Sequence, residues 1–312
     1  MIYVALGANL LVAGTKFAAA AWTGSSAMFS EGIHSLVDTG NELLLLYGMH
    51  RSAKRPDKDH PLGYGREVYF WSFAVALLVF ALGAGVSLHE GITQVMNPQP
   101  IQNGGANYAV LALSALIDGG SWWITLHAFK EKRRYSEIYG AIRGSKDPPA
   151  FIVLFEDSAA LIGLAIAFAG IYLATRLDRP VLDGAASILI GLVLAMTATL
   201  LARETKSLLI GERADPAIVA SIQRLAEAME GVAHANGVLT VHLAPRQILV
   251  ALSLEFADEL RTGEIEAKVT ELERRICLSH PEVVALFVKP QTAGAYTATI
   301  ARRYAIPGLP TK

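Results

Sequence analysis

Cysteine is almost missing. The 312 residues hold one, Cys277, which excludes a disulfide framework and a thiolate metal cluster and leaves the redox compartment open. Charge is scarce too: Asp, Glu, Lys and Arg make up 18% of the chain, against about 25% in ordinary soluble domains. With 53% hydrophobic residues and a mean hydropathy of +0.38, that scarcity places the chain in the membrane class. No phosphate loop of the Walker type occurs, so ATP has no binding element of that kind and is not expected as a partner. Solenoid-length repeats and long low-complexity tracts are also missing. The formal net charge of −1 carries no nucleic-acid signature, and none is expected to bind.

What the chain does have is apolar length. Six segments approach the ~20 residues that a bilayer span needs: Met1 to Trp22, Ala27 to His50, Val68 to Gly91, Ala106 to Phe129, Ala150 to Thr175 and Val181 to Ala202. Ala18 to Ala21 resembles a cleavage site, but the first run lacks a basic leader and is longer than a signal-peptide core, so it is expected to remain a span. Arg51, Lys54, Arg55, Lys58 and Arg66 follow the second segment. Lys130, Lys132, Arg133, Arg134, Arg143 and Lys146 follow the fourth, while the alternate connections are nearly free of Lys and Arg. The positive-inside rule then predicts six transmembrane helices with both termini cytoplasmic.

Past residue 205 the pattern becomes that of a small α+β domain, 206–290. Asp215-Pro216 caps a helix with an Ile218, Ile222, Leu225, Ala226, Met229 stripe. Alternation predicts strands over Gly237–Leu243 and Gln247–Phe256, joined at Pro245-Arg246. A helix over Glu264–Cys277 and a strand over Val283–Val288 follow. Residues 291–312 read as a polar tail expected to be poorly ordered.

Polar residues inside the spans are few enough to weigh singly. His34, Asp38 and Asn41 recur at i, i+4 and i+7, which puts them on one helix face. A carboxylate at bilayer depth costs roughly 2.5–3.5 kcal/mol on insertion scales and normally faces a polar cavity or an ion. Asp157 lies in the fifth span beside Glu156. Adjacent helix positions point ~100° apart, so only one of that pair is expected to face a given cavity. Asp118 in the fourth span is either a site group or else a packing bond or a side chain snorkelling to the interface, and Asn9 in the first is either a lining group or a packing bond. Lys16 and His89, near span ends, are expected at the interface. The small pairs Ala81/Gly85 and Gly163/Ala167 permit close helix approach.

With His34 and Asp38 in HSLVD, the DKDHPLGYGRE loop from Asp57 to Glu67, Asp157 in the fifth span and a soluble α+β end, the chain resembles the cation diffusion facilitators. The likeness runs from about Leu6 to Pro290. It implies a homodimeric, proton-coupled exporter of divalent metal cations, built from a transmembrane domain (1–205) and a cytosolic, ferredoxin-like or metallochaperone-like domain. The implied setting is a lipid bilayer, a bacterial inner membrane, with Zn2+ the first choice of cargo and Mn2+, Fe2+, Co2+ or Cd2+ alternatives. No organic cofactor is implied. His34, Asp38 and Asp157 correspond to the family's metal ligands, and Asp57 and His60 to a weaker loop site.

Three departures stand out. Val153 occupies the position, four before Asp157, where many members carry a ligand; Asn41, Glu156 or a water would then complete the shell. An oxygen-rich shell suits Mn2+ or Fe2+ better than a two-histidine one does. Tyr64 replaces the last ligand of the loop site. In the cytosolic domain His234 and His242 lack partner ligands, with Ser253, Val288 and Pro290 in their places, and are expected to be ordinary strand histidines. Two other classes remain alongside the transporter: a non-transporting scaffold of the same fold, and an intramembrane metal-dependent hydrolase.

Overall fold

A computed structural model describes residues 2–101, 104–131 and 146–304. Lys132, Arg133, Arg134 and Arg143 of the second basic loop, and the tail beyond Tyr304, lie outside them. The chain divides into two compact units, Met1–Leu209 and Ile210–Lys312, a few residues later than the boundary after 205 expected from hydropathy.

The first unit is a bundle of long helices: α1 (Ile2–Thr23), α2 (Ser26–Ser52), α3 (Glu67–Leu78), α4 (Gly85–Met96), α5 (Gly104–Glu131), α6 (Pro148–Leu177) and α7 (Val181–Ile210). A single π-helical turn, Val79–Ala84, joins α3 to α4 in one rod. Among the described residues, four stretches are long and apolar enough to cross a membrane: Glu67–Met96, Gly105–His127, Phe151–Leu177 and Val181–Ile210. Helix α2 is long enough as well, but carries Glu31, His34, Asp38, Asn41 and Glu42.

Large apolar side chains such as Leu116, Ile124, Phe168 and Met196 point outward, the pattern of a protein solvated by lipid. Inside, one apolar cluster runs through Met28, Leu111, Leu164, Ile171, Ile190 and Leu194. A second runs through Val37, Tyr69, Val75, Phe151, Ile152 and Leu201. Of the two small-residue pairs, Ala81 and Gly85 face outward. Ala167 is fully buried, and Gly163 lies against the Glu31 carboxylate.

The second unit follows the expected order. Asp215 Oδ1 accepts from Ala217 N at 2.8 Å and starts α8 (Pro216–Glu227), which supplies Ile222 and Ala226 to the core. Strands β1 (Val232–Ala244) and β2 (Gln247–Phe256) pair antiparallel, and β3 (Val283–Pro290) pairs parallel to β2 after helix α9 (Thr262–Ser279). The sheet order is β1-β2-β3. Strand β1 begins earlier than its alternation suggests, because bulges at Val232/His234 and Ala235/Gly237 break the period of two.

The ordered structure continues past residue 291: Ala293–Tyr304 forms helix α10, contrary to the expected tail. Its alanines favour a helix, and it is tied to the sheet. Glu255 Oε2 accepts from Ala293 N at 2.9 Å, and Asn236 Nδ2 donates to Gln291 O at 2.8 Å.

Candidate cation site

Helix α2 is the spine of the site because its polar residues recur every three or four positions. Its start is fixed from a distant element: Asp183 of α7, fully buried, accepts from Ser25 Oγ at 2.7 Å and Ser26 N at 2.6 Å. Those bonds use backbone and hydroxyl donors at a helix N-terminus, where an anion is favoured.

About two and a half turns further along α2, a cavity of about 60 Å³ opens between α1, α2, α5 and α6. Its lining includes five carboxylates, those of Asp38, Glu42, Asp118, Glu156 and Asp157, with Asn9, Ser35, Ser121 and Val153 among the other residues. At about 10–15 Å³ per water in such a measure, a cation and a few waters fit.

Each carboxylate has a distinct neighbour. Asn9 Nδ2 donates to Glu42 Oε1 at 2.9 Å, Asn41 Nδ2 to Glu156 Oε1 at 2.7 Å, and Ser121 Oγ to Asp157 Oδ2 at 2.9 Å. His34 Nδ1 lies 3.3 Å from Asp38 Oδ1, without the alignment of a hydrogen bond. Both ring nitrogens of His34, Asp38 Oδ1 and Asn41 Oδ1 are buried with no hydrogen-bond partner in the protein. Buried polar atoms are nearly always satisfied, so four such atoms on one helix face suit a polar ligand.

Of the expected site residues, Asp38, Asp157 and Glu156 meet at the cavity, while His34 and Asn41 stand beside them on α2. No group of three or more His, Cys, Asp or Glu side chains among the described residues converges closely enough to hold a metal ion. Glu156 and Asp157 both line the cavity, contrary to the expectation from their 100° offset. The wall is wide enough for one to reach α2 and the other α5. Val153 is also on this wall, so no ligand comes from its position.

Lys16 corrects the sequence reading most sharply. It is not at the interface but fully buried, donating to Glu31 Oε2 at 3.0 Å and Ser35 Oγ at 2.8 Å, with Asp118 Oδ2 at 3.9 Å. A lone lysine near a span end reads as interfacial only until its partners on other helices are known. Glu31 and Glu42 continue the three- and four-residue spacing of His34, Asp38 and Asn41, the one sequence signal that marks them. Asn9 proves to be lining and packing bond at once, and His89 is exposed.

The loop after α2 closes on itself. Asp57 Oδ1 accepts from Asp59 N and His60 N, and Asp57 Oδ2 accepts from Tyr64 OH at 2.6 Å. His60 Nδ1 is 3.5 Å from Asp57 Oδ1, and its ring lies 4.2 Å from that of Tyr64. Both Asp57 oxygens are thus engaged within the loop, one by backbone N–H groups and the other by the Tyr64 hydroxyl. In the second unit His234 is exposed on β1, and His242 is a buried strand residue with Nδ1 3.3 Å from Ala244 O.

A bundle with an apolar exterior around a pocket of carboxylates is the arrangement of a membrane protein with a polar site inside its helices. Residues 2–210 match the family described as the cation efflux transmembrane domain. The proton-coupled zinc antiporter SLC30A9, mitochondrial, of Homo sapiens is 33% identical over 232 residues, 74% of this chain and 40% of that protein. Metal tolerance protein C4 of Arabidopsis thaliana is 34% identical over 217 residues, 69% of this chain and 47% of that protein. The manganese efflux system protein MneP of Bacillus subtilis is 24% identical over 295 residues, 92% of this chain and 94% of that protein. The chain spans less than half the length of the first two. It belongs to the cation diffusion facilitator family, whose members are metal cation efflux transporters and not enzymes, which removes the hydrolase alternative.

Proposed function

We propose that the chain is a proton-coupled antiporter that exports a divalent cation from the cytoplasm by alternating access. It would work as a homodimer in a bacterial inner membrane, with six crossings and both termini cytoplasmic. The observation that carries this reading is the set of unpartnered buried atoms of His34, Asp38 and Asn41 beside a carboxylate-lined cavity. His34 supplies nitrogen; Asp38, Asp157 and Glu156 supply oxygen, and Asn41 can offer its Oδ1. Binding a cation requires neutral imidazole and ionised carboxylates, so an arriving ion displaces protons and returning protons help expel it. Zn2+ is the first expectation, in keeping with the name of the human relative, and Mn2+ the second, in keeping with the oxygen-rich donors and the name of the B. subtilis one.

In proteoliposomes, a pH gradient should drive Zn2+ flux, and Asp38→Ala or Asp157→Ala should each abolish it. Flux that survived both substitutions would refute this site. Val153 on the cavity wall favours a second reading, a non-transporting scaffold or regulator; absence of flux for Zn2+, Mn2+, Co2+, Fe2+ and Cd2+ alike would favour it.

A further inference from the structure

Among the described residues Lys16 is the only lysine or arginine that is buried. Its ammonium has three donors. Two are used, on Glu31 Oε2 and Ser35 Oγ, and Asp118 Oδ2 lies 3.9 Å away, inside ion-pair range but beyond a hydrogen bond. Ser35 and Asp118 line the cavity whereas Lys16 and Glu31 do not, so the positive charge stands directly behind the wall. Two carboxylates share this one ammonium, and Glu31 Oε1 has no hydrogen-bond partner.

The other lining acids are held differently. Glu42, Glu156 and Asp157 accept from the neutral groups of Asn9, Asn41 and Ser121, which need no replacement when a cation arrives. Asp118 alone among the five faces a full opposite charge within 4 Å, apart from the His34 ring beside Asp38.

We propose that Asp118 is a further cation-binding residue of the cavity and that Lys16 is its resident competitor. With the cation elsewhere, Lys16 balances both Glu31 and Asp118. When a divalent cation enters, Asp118 turns to it, and the ammonium closes on Glu31. Lys16 thereby weakens binding enough for the cation to leave again, as a transport site requires. This inference rests on the antiporter reading of the same cavity.

The test is a double-mutant cycle on the full chain in nanodiscs, read by calorimetric Zn2+ titration. Asp118→Asn should weaken binding by about tenfold, the order expected of an interaction with a charged group, while Asp118→Glu retains most of it. Lys16→Gln combined with Glu31→Gln removes the buried pair without stranding one charge. That pair of changes should tighten binding about threefold or more with Asp118 present and have no such effect in the Asp118→Asn background. Equal effects in both backgrounds, or unchanged affinity in Asp118→Asn, overturn the proposal. Should the Lys16 and Glu31 variant not fold, Glu31→Gln alone takes its place: it leaves Lys16 to Asp118, and should weaken binding with Asp118 present and not in the Asp118→Asn background. Asp38→Ala separates the two levels: Zn2+ binding that ignores Asp38 refutes the site itself, whereas dependence on Asp38 with an additive cycle refutes only the competition.

Discussion

At Gly163 the missing side chain lets α6 pass directly over the Glu31 carboxylate, where any Cβ would collide with Oε1. The clash cannot be relieved by rotating a surface group, because Glu31 is fully buried and fixed by Lys16. Gly163→Val should therefore cost about 1–3 kcal/mol, the range for overpacking a filled interior, measured by thermal unfolding of the purified protein. In the loop after α2, the hydrogen bond from Tyr64 OH, followed by the backbone bond from His60, holds the Asp57 carboxyl below its usual 3.8, and the same bond raises the Tyr64 phenol. A depressed carboxyl contributes stability that is full above pH 3.8 and is lost as pH falls through the folded value. Tyr64→Phe should return Asp57 toward 3.8 in a carboxyl NMR titration. An unmoved titration would mean that the backbone donors alone hold it.

Between elements, α4 and α7 approach backbone to backbone. A Cβ at Gly184 would sit 2.9 Å from Val95 N and 3.0 Å from Gly91 O, and one at Gly91 would sit 2.7 Å from Ile188 N. Backbones this close leave nothing flexible to yield, and Ser187 Oγ donates to Ser87 O at 3.0 Å across the same contact. Gly184→Leu should separate the helices and lower stability by at least about 1–3 kcal/mol, with Asp183, one residue away, losing its hold on Ser25 and Ser26. The expected sign is a lower unfolding temperature together with weaker Zn2+ binding, since α2 begins at that cap. The segment Val79–Ala84 is a π turn, a form often found near functional sites.

For the whole molecule, the placement of charge makes a topological prediction. In a Cys277→Ser background, Lys58→Cys and Gln99→Cys lie in exposed connections after α2 and after α4. With six crossings and cytoplasmic termini, an impermeant thiol reagent added from the cytoplasmic side should label the first and not the second, and the reverse from outside. Labelling of both from one side would overturn the six-crossing reading.

The sequence by itself determined the long helices, the helix and strand order of the second unit, and the face shared by His34, Asp38 and Asn41. Each of these is a matter of local period: a lipid-solvated helix must be apolar over its length, and residues three or four apart share a face whatever surrounds them. Helix α10 is not legible along the chain because its polarity outweighs its alanine content and its tethers to Glu255 and Asn236 are remote in sequence. Only the tertiary structure decided that Glu156 and Asp157 reach one cavity, that Asp183 caps α2 from α7, and that Lys16 is buried. A charge is tolerated inside an apolar bundle when an opposite charge meets it there. Glu31 and Asp118 reach Lys16 from α2 and α5, and no pattern along α1 contains them.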